Sequence, residues 1–306
     1  MRAAQIAAAL QKFSDSVCPL PGIRTPRKAE VLIEQILESL HRVAYVSRIR
    51  DRSLSPNRQD PHCDSFDPLK AAILYQDAGE VDDAFWMVFL FVHFGRNLRT
   101  GWRLARDVHG ALGAQPWTWD RVSRDPKRFR QWLASNLMTL QGCDGVARHF
   151  GNHRKYQSLD PASDNGTGAA VDTYVAWVGP TRNHRTRIEE SLSRCGADPR
   201  RTFDDLYRSL RAVRSFGRTA RFDYLTMVGK LRLAPIEPGS TYMQGATGPL
   251  SGARLLFGDT RKRLTSAQLD AQLVRLGQHT GLGMQVLEDS LCNWQKSPSR
   301  LVRFRG

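Results

Sequence analysis

Residues 215–240, SFGRTARFDYLTMVGKLRLAPIEPGS, decide the fold. A glycine-ended turn, Ser215-Phe216-Gly217, precedes an apolar run of helical period. That run gives way to a single carboxylate, Glu237, standing between Pro235 and Pro238. In a helix-hairpin-helix, a glycine-rich turn joins two helices. Its backbone N–H groups and the positive dipole end of the second helix together hold a DNA phosphate. The usual pattern is Leu-Pro-Gly-hydrophobic-Gly-x-x-Thr-Ala. Here Phe216-Gly217 keep the hydrophobic residue and the second glycine, Ser215 replaces the first glycine, and the Thr219-Ala220 pair comes one residue early. Phe216, Gly217, Arg218, Thr219 and Arg221 are the candidate DNA contacts of this hairpin.

In glycosylases of the helix-hairpin-helix superfamily a catalytic carboxylate follows the second glycine by about twenty residues, where it supports a sugar cation or steers a water. Counting twenty from Gly217 reaches Glu237. Aspartate is the usual residue there, and Asp223, on the helix after the turn, is the second candidate. The competing reading makes Glu237 a turn residue and Asp223 a solvated charge. Enzymes that also cut the strand carry a hairpin lysine to form a Schiff base. Arg218 and Thr219 stand at that place, so the expected reaction is monofunctional. A second stretch, Leu20-Pro21-Gly22-Ile23, looks closer to the hairpin pattern. It is rejected because Arg24 replaces the second glycine, Arg27-Lys28 the Thr-Ala pair, and Ala44 the acid.

The rest of the composition agrees with a nucleic-acid partner. The 306 residues include 45 Lys and Arg against 30 Asp and Glu, a net charge of +15. Such a surface attracts polyanions, and arginine, the commoner cation, suits phosphate through its planar fork. Mean hydropathy is −0.44, and no apolar run reaches the roughly eighteen residues of a membrane span. The densest, AFWMVFLFVHF at 84–94, reads as a buried helix with His93 a core histidine. The amphipathic N-terminus has no convincing cleavage site. Five scattered cysteines without a CxxC pair point to a reducing cytoplasm, with neither a disulfide framework nor a zinc site.

Periodicity along the chain is nearly all helical, which makes the fold class all-α. Residues 28–50 carry Leu32, Ile36, Leu40 and Val43 at helical spacing, and 51–66 are polar and proline-bearing. The domain expectation is an N-terminal helical region and linker over 1–60, then a glycosylase-like helical domain with a basic C-terminal tail over 61–306. A helical block runs from Pro68 to about Gly113. Residues 125–140 form a helix with Pro126 in its first turn. Residues 157–170 are a loop. VDTYVAWVG, which follows it, fits a strand or a short helix. Arg185–Cys195, Thr202–Arg214 and Ser266–Trp294 are again helical.

GRTARFDYLTMVGKL, PGSTYMQGATGPLSGARLLFG and the terminal LCNWQKSP resemble the α-glutamyl/putrescinyl thymine pyrophosphorylase family, clade 3, as do FDPLKAAILYQ, FWMVFLFVHFG and FGNHRKYQSLD. The resemblance implies a helical domain similar to DNA glycosylases, with relatives that excise glucosylated hydroxymethylcytosine in phage defence. It leaves two chemistries open. One displaces pyrophosphate from an activated hydroxymethyluracil with an amine; the other cuts the glycosidic bond of a bulky modified base. Excision is preferred, because the hairpin-to-acid spacing is kept and no P-loop or metal motif stands ready for pyrophosphate. Excision needs only water, so no cofactor is implied.

The partner is expected to be double-stranded DNA with modified bases, bound by a monomer away from any membrane. Asn152 and His153, with Tyr242, Gln244 and Ser251 around the glycine-rich 245–252 turn, are the candidate walls of a flipped-base pocket. A helix cap accounts for much of that turn. His149 and His153 have metal-ligand spacing on a helix, but Gly151 intervenes and no third ligand is near. Lys155, and Arg103 in a stripe with Arg96, Arg99 and Trp102, are candidate phosphate contacts. So is Lys296, in a basic tail that begins at Trp294 and Gln295 and continues through Arg300, Arg303 and Arg305.

Overall fold

The computed structural model describes residues 2–258 and 264–303. Arg305 of the basic tail lies outside them. Among the described residues the chain forms helices and no strand, so the fold is all-α. The helices of the first half are α1 (Ala3–Ser16), α2 (Pro26–Arg50), α3 (Pro68–Asp77), α4 (Val81–Phe94), α5 (Arg103–His109), α6 (Trp119–Arg124) and α7 (Pro126–Leu140). The second half adds α8 (Thr167–Val178), α9 (His184–Arg194), α10 (Pro199–Ser209), α11 (Arg218–Lys230), α12 (Gly248–Phe257), α13 (Ser266–Thr280) and α14 (Met284–Trp294).

Two compact units divide the chain: a terminal unit of Met1–Arg48 with Pro238–Arg305, and a central unit of Ile49–Glu237. In the terminal unit, Phe13, Ile36, Leu256, Leu273, Leu287 and Trp294 are all buried in one core. Trp294 is therefore a packing residue of that core and not the start of a tail. Leu20-Pro21-Gly22-Ile23 forms a 3-10 turn between α1 and α2. Its glycine is covered, for a Cβ at Gly22 would overlap the carbonyl oxygen of Leu255. No phosphate can approach a backbone so enclosed, which is the physical ground for rejecting that stretch.

The central unit is built on α4, whose Trp86, Met87, Phe89 and Leu90 are wholly buried. Phe89 stands at its middle, with ring centroids 4.4 Å from Tyr174, 5.1 Å from Trp86 and 5.2 Å from Phe216. Each such ring contributes on the order of 2 kcal/mol by leaving water. The segment VDTYVAWV is helix, the C-terminal part of α8. Ala169, Ala170, Val171, Tyr174, Trp177 and Val178 are all buried; a helix apolar on most of its circumference loses the period that would identify it.

The block from Pro68 is interrupted where a continuous helical face was expected. Gly95, at φ +65°, ends α4, and the chain then closes a tight hairpin through an antiparallel bridge of Asn97 with Gly101. The Asn97 side chain makes that turn, accepting from the N–H groups of Arg99 and Thr100 at 2.9 and 3.1 Å. Arg96 and Arg99 thus stand on a loop, and the helix resumes only at Arg103.

Candidate DNA-facing active site

The turn between α10 and α11 owes its shape to a residue in an unfavourable backbone region. Ser215 has φ +62°, the left-handed conformation that the missing glycine would supply without strain. Three bonds hold it there. Ser215 Oγ donates to the carbonyl of Asn165, Gln157 Nε2 donates to the Ser215 carbonyl at 3.3 Å, and Arg214 N–H donates to Thr173 Oγ1 at 2.9 Å. Phe216 is buried and stacked on Phe89, so it anchors the turn and does not face outward.

Gly217 caps α11 with no side-chain cap bond. Its φ of −64° and ψ of −175° are open to any residue, and a Cβ added there meets nothing within 4 Å. The glycine is required by neither backbone nor packing. It leaves the helix N-terminus without a side-chain cap, and helix N-termini accommodate anions.

Of the other hairpin candidates, Thr219 is exposed. Arg218 is buried, its guanidinium 4.9 Å from the Phe222 ring. Arg221 is half-buried, stacked 4.4 Å over Tyr207 and donating to the Tyr207 carbonyl at 3.2 Å.

The 150–157 segment packs against the end of α4 and reaches this turn through Gln157. Gly151 N–H donates to the Phe94 carbonyl at 2.8 Å, and Phe150 stacks on Phe94 at 5.5 Å. Asn152, His153 and Arg154 form a 3-10 turn, with Asn152, His153 and Lys155 exposed. Arg154 points inward: Nε donates to the Val92 carbonyl at 2.6 Å, and Nη2 meets Asp223 Oδ2 at 2.9 Å. The carboxyl of Asp223 lies in a surround that withdraws it from water, and this pushes its pKa above the ordinary value against the opposing pull of Arg154 and Arg218. Its side chain nevertheless keeps 41% exposure, so it remains reachable from solvent. Asp223, Arg154, His153 and the hairpin therefore come together.

Glu237 is elsewhere. The Ile236 carbonyl approaches α11 so closely that a Cβ at Gly229 would overlap it, which sets Glu237 beside the last turns of that helix. Gly229 is six residues past Asp223, about 9 Å along the axis and about 120° around it. Glu237 is exposed, in an ion pair with Arg200 Nε at 2.8 Å, at the edge of an open groove of about 560 Å³ lined by Pro199, Arg232 and Pro235. The two candidate carboxylates do not share a site.

The remaining candidates are dispersed. Arg103 is half-buried, with Nη1 3.4 Å from the Ala147 carbonyl. Tyr242, Gln244, Ser251 and Lys296 belong to the terminal unit. There Asp270 fixes the 240–243 stretch, accepting from Ser240 Oγ at 2.8 Å, Thr241 Oγ1 at 2.6 Å and Met243 N–H at 2.9 Å. Lys296 Nζ donates to Asn293 Oδ1 at 3.1 Å. Among the described residues no group of three or more His, Cys, Asp or Glu is placed to hold a metal ion.

Sequence spacing did not disclose a buried polar chain behind the site. Tyr224 OH lies 2.7 Å from Tyr174 OH, which lies 2.7 Å from His184 Nε2; His184 Nδ1 lies 2.7 Å from Asp82 Oδ1. Burial pushes the His184 pKa down although Asp82 pulls the other way, which favours the neutral ring. The bonds are then all satisfied if each group donates toward Asp82. Tyr224 follows Asp223 directly, so this chain fixes the rotation of α11 that presents the carboxylate. Its members are scattered from position 82 to 224, and no local motif could have joined them. Arg154 was likewise missed; it lies 69 positions from its partner.

Residues 27–306 match the model of a family described as alpha-glutamyl/putrescinyl thymine pyrophosphorylase clade 3, and the chain belongs to that family. No curated protein matches it, and no solved structure does. The family name points to an enzyme acting on DNA bases.

Proposed function

Taking membership of that family as the premise, we propose that the protein is a DNA glycosylase that excises bulky hydroxymethylated or glucosylated bases from phage DNA and leaves abasic sites. The observation that carries this reading is Asp223: a carboxylate with a raised pKa, clamped by Arg154, on the first turns of the helix that the open Gly217 cap begins. The α11 N-terminus receives a backbone phosphate, and the target nucleotide leaves the stack beside Asn152 and His153.

At the sugar, the carboxylate of Asp223 lies against the cationic C1′ as the glycosidic bond breaks and its electron pair departs with the base. A water forms the new C1′–O bond and gives its proton to Asp223, whose raised pKa makes it the better acceptor. That proton then passes to solvent or to the departing base. Glu237, in its surface ion pair with Arg200, has the weaker claim to this role.

Amine transfer is the second reading, favoured by the family name. It would form an N–CH2 bond to the base as the CH2–O bond to pyrophosphate breaks. A recess of about 360 Å³ whose lining sets Glu80, Asp82, Asp83 and Asp120 against one cation, Arg182, has the acidic balance a polyamine would need.

One assay separates the two. Purified protein is incubated with unmodified, hydroxymethylated and glucosylated duplexes, and with pyrophosphorylated hydroxymethyluracil DNA plus amine. Free base and abasic sites support excision, and pyrophosphate release supports transfer. Binding without product makes the protein a DNA-binding module and sinks both.

A further inference from the structure

The central unit exposes two large apolar side chains beside the site described above: Leu98 at 55% and Tyr156 at 88%. Neither stands on a loose loop. Leu98 is at the tip of a hairpin closed by both backbone bonds between Asn97 and Gly101, each 3.0 Å. The Asn97 Nδ2 group also donates to the Phe150 carbonyl at 3.0 Å, which ties this hairpin to the segment bearing Tyr156. On that segment Gln157 N–H donates to the Arg154 carbonyl at 2.9 Å, and Gln157 Nε2 reaches the hairpin turn at Ser215. Lys155 Nζ stands 5.0 Å from the Tyr156 ring.

The surroundings choose the partner. Residues 95–103, GRNLRTGWR, and 145–157, GVARHFGNHRKYQ, contain Arg and Lys but not one Asp or Glu. Arg96, Arg99 and Lys155 are exposed. An apolar protein partner would be met by a broad face, not by two isolated tips ringed with cations. Duplex DNA offers the complement: phosphates for the cations, and a stack between whose bases an apolar side chain can enter.

We propose that Leu98 and Tyr156 form a two-pronged wedge that fills the gap left in duplex DNA when a nucleotide swings toward Asp223. Tyr156 stacks on the exposed neighbouring base and Leu98 occupies the vacated space. The inference rests on the DNA reading of the same site, but it concerns the recognition step and not the bond that is cut.

The test compares two duplexes of one sequence, intact and with a central tetrahydrofuran abasic analogue, by fluorescence anisotropy. Wild type is expected to bind the gapped duplex at least about tenfold more tightly, because the unstacking is already done. L98S/Y156S should lose that preference while keeping its affinity for the intact duplex and its salt slope; circular dichroism checks that it is folded. Equal binding of both duplexes by wild type, or a preference that survives in the double variant, overturns the wedge. So does a self-association of wild type that the double variant abolishes, which would assign the tips to a second copy. Asp223→Asn run alongside tells the two ideas apart: it should keep the gap preference and lose product formation. If wild type binds neither duplex, the wedge and the DNA reading fall together.

Discussion

Replacing Asp223 with asparagine removes one negative charge and almost nothing else. The side chain keeps its shape, and its Oδ1 can still accept from Arg154, which also remains bonded to the Val92 carbonyl at 2.6 Å. The functional loss follows from Coulomb's law. A carboxylate about 4 Å from a developing sugar cation, at an effective dielectric of about 20, is worth about 4 kcal/mol. That corresponds to a rate about a thousandfold lower.

Stability should respond with the opposite sign. Burial raises the folded-state pKa of Asp223 above its unfolded value, so the folded protein holds the proton more tightly than the unfolded chain does. Stability is therefore lost as pH rises through the window between the ordinary and the raised value. Above that window the neutral asparagine relieves a cost. The expected result at pH 7.5 is single-turnover base release down about a thousandfold, unchanged DNA affinity, and a Tm equal to or above that of the wild type. A variant that keeps base release within about tenfold of wild type would refute the assignment of Asp223; a Tm that collapses would refute the electrostatic argument.

The hairpin makes a separate prediction. Because nothing fills the space beside Gly217, Gly217→Ala should cost less than about 1 kcal/mol in urea unfolding. It should nevertheless weaken DNA binding, with the salt slope unchanged because no cation is lost. Gly229→Ala should do the reverse, destabilising the fold by roughly 1–3 kcal/mol through its clash with the Ile236 carbonyl while leaving DNA affinity intact.

Acid titration reports on the buried imidazoles: burial pushes His93 down to about 3 and His109 to about 4. Both histidines bind protons more readily when unfolded, so stability is lost as pH falls below about 6.5, by about 1.4 kcal/mol per pH unit for each. Tm measured from pH 7 to 4.5 should fall accordingly, and His93→Gln should flatten the slope. Cutting the buried chain with Tyr224→Phe should cost about 1 kcal/mol. It should also lower base release without changing DNA affinity, since α11 loses a bond that sets its rotation.

How much of this was legible beforehand varied with the range of the interaction responsible. The boundaries of α7 could be read because Asp125 and Pro126 cap it locally, and the Asp125 side chain does accept from Arg128 N–H at 3.0 Å. His93 could be placed in the core from its apolar neighbours; it is buried, with Nε2 3.0 Å from Thr167 Oγ1. The loop character of 95–102 was hidden, because Arg96, Arg99 and Arg103 also fit one helical face. Gly95 ending α4 in a left-handed conformation, and Asn97 bonding its own backbone in the turn that follows, decided against it. Counting residues past a glycine pointed to Glu237, which pairs with Arg200 at the surface, whereas the surroundings of Asp223 raise its pKa, and no count along the chain can register such surroundings.

The amino-acid sequence by itself determined the all-helical class, the cationic surface and the family, because apolar period, charge and motif are properties of neighbouring residues. Tertiary structure decided which carboxylate has its pKa raised by its surroundings, that Arg154 would hold it, and that residues from positions 82, 174, 184 and 224 would line up behind it. Those outcomes depend on desolvation and on hydrogen bonds between distant segments. Both exist only once the chain has brought the segments together.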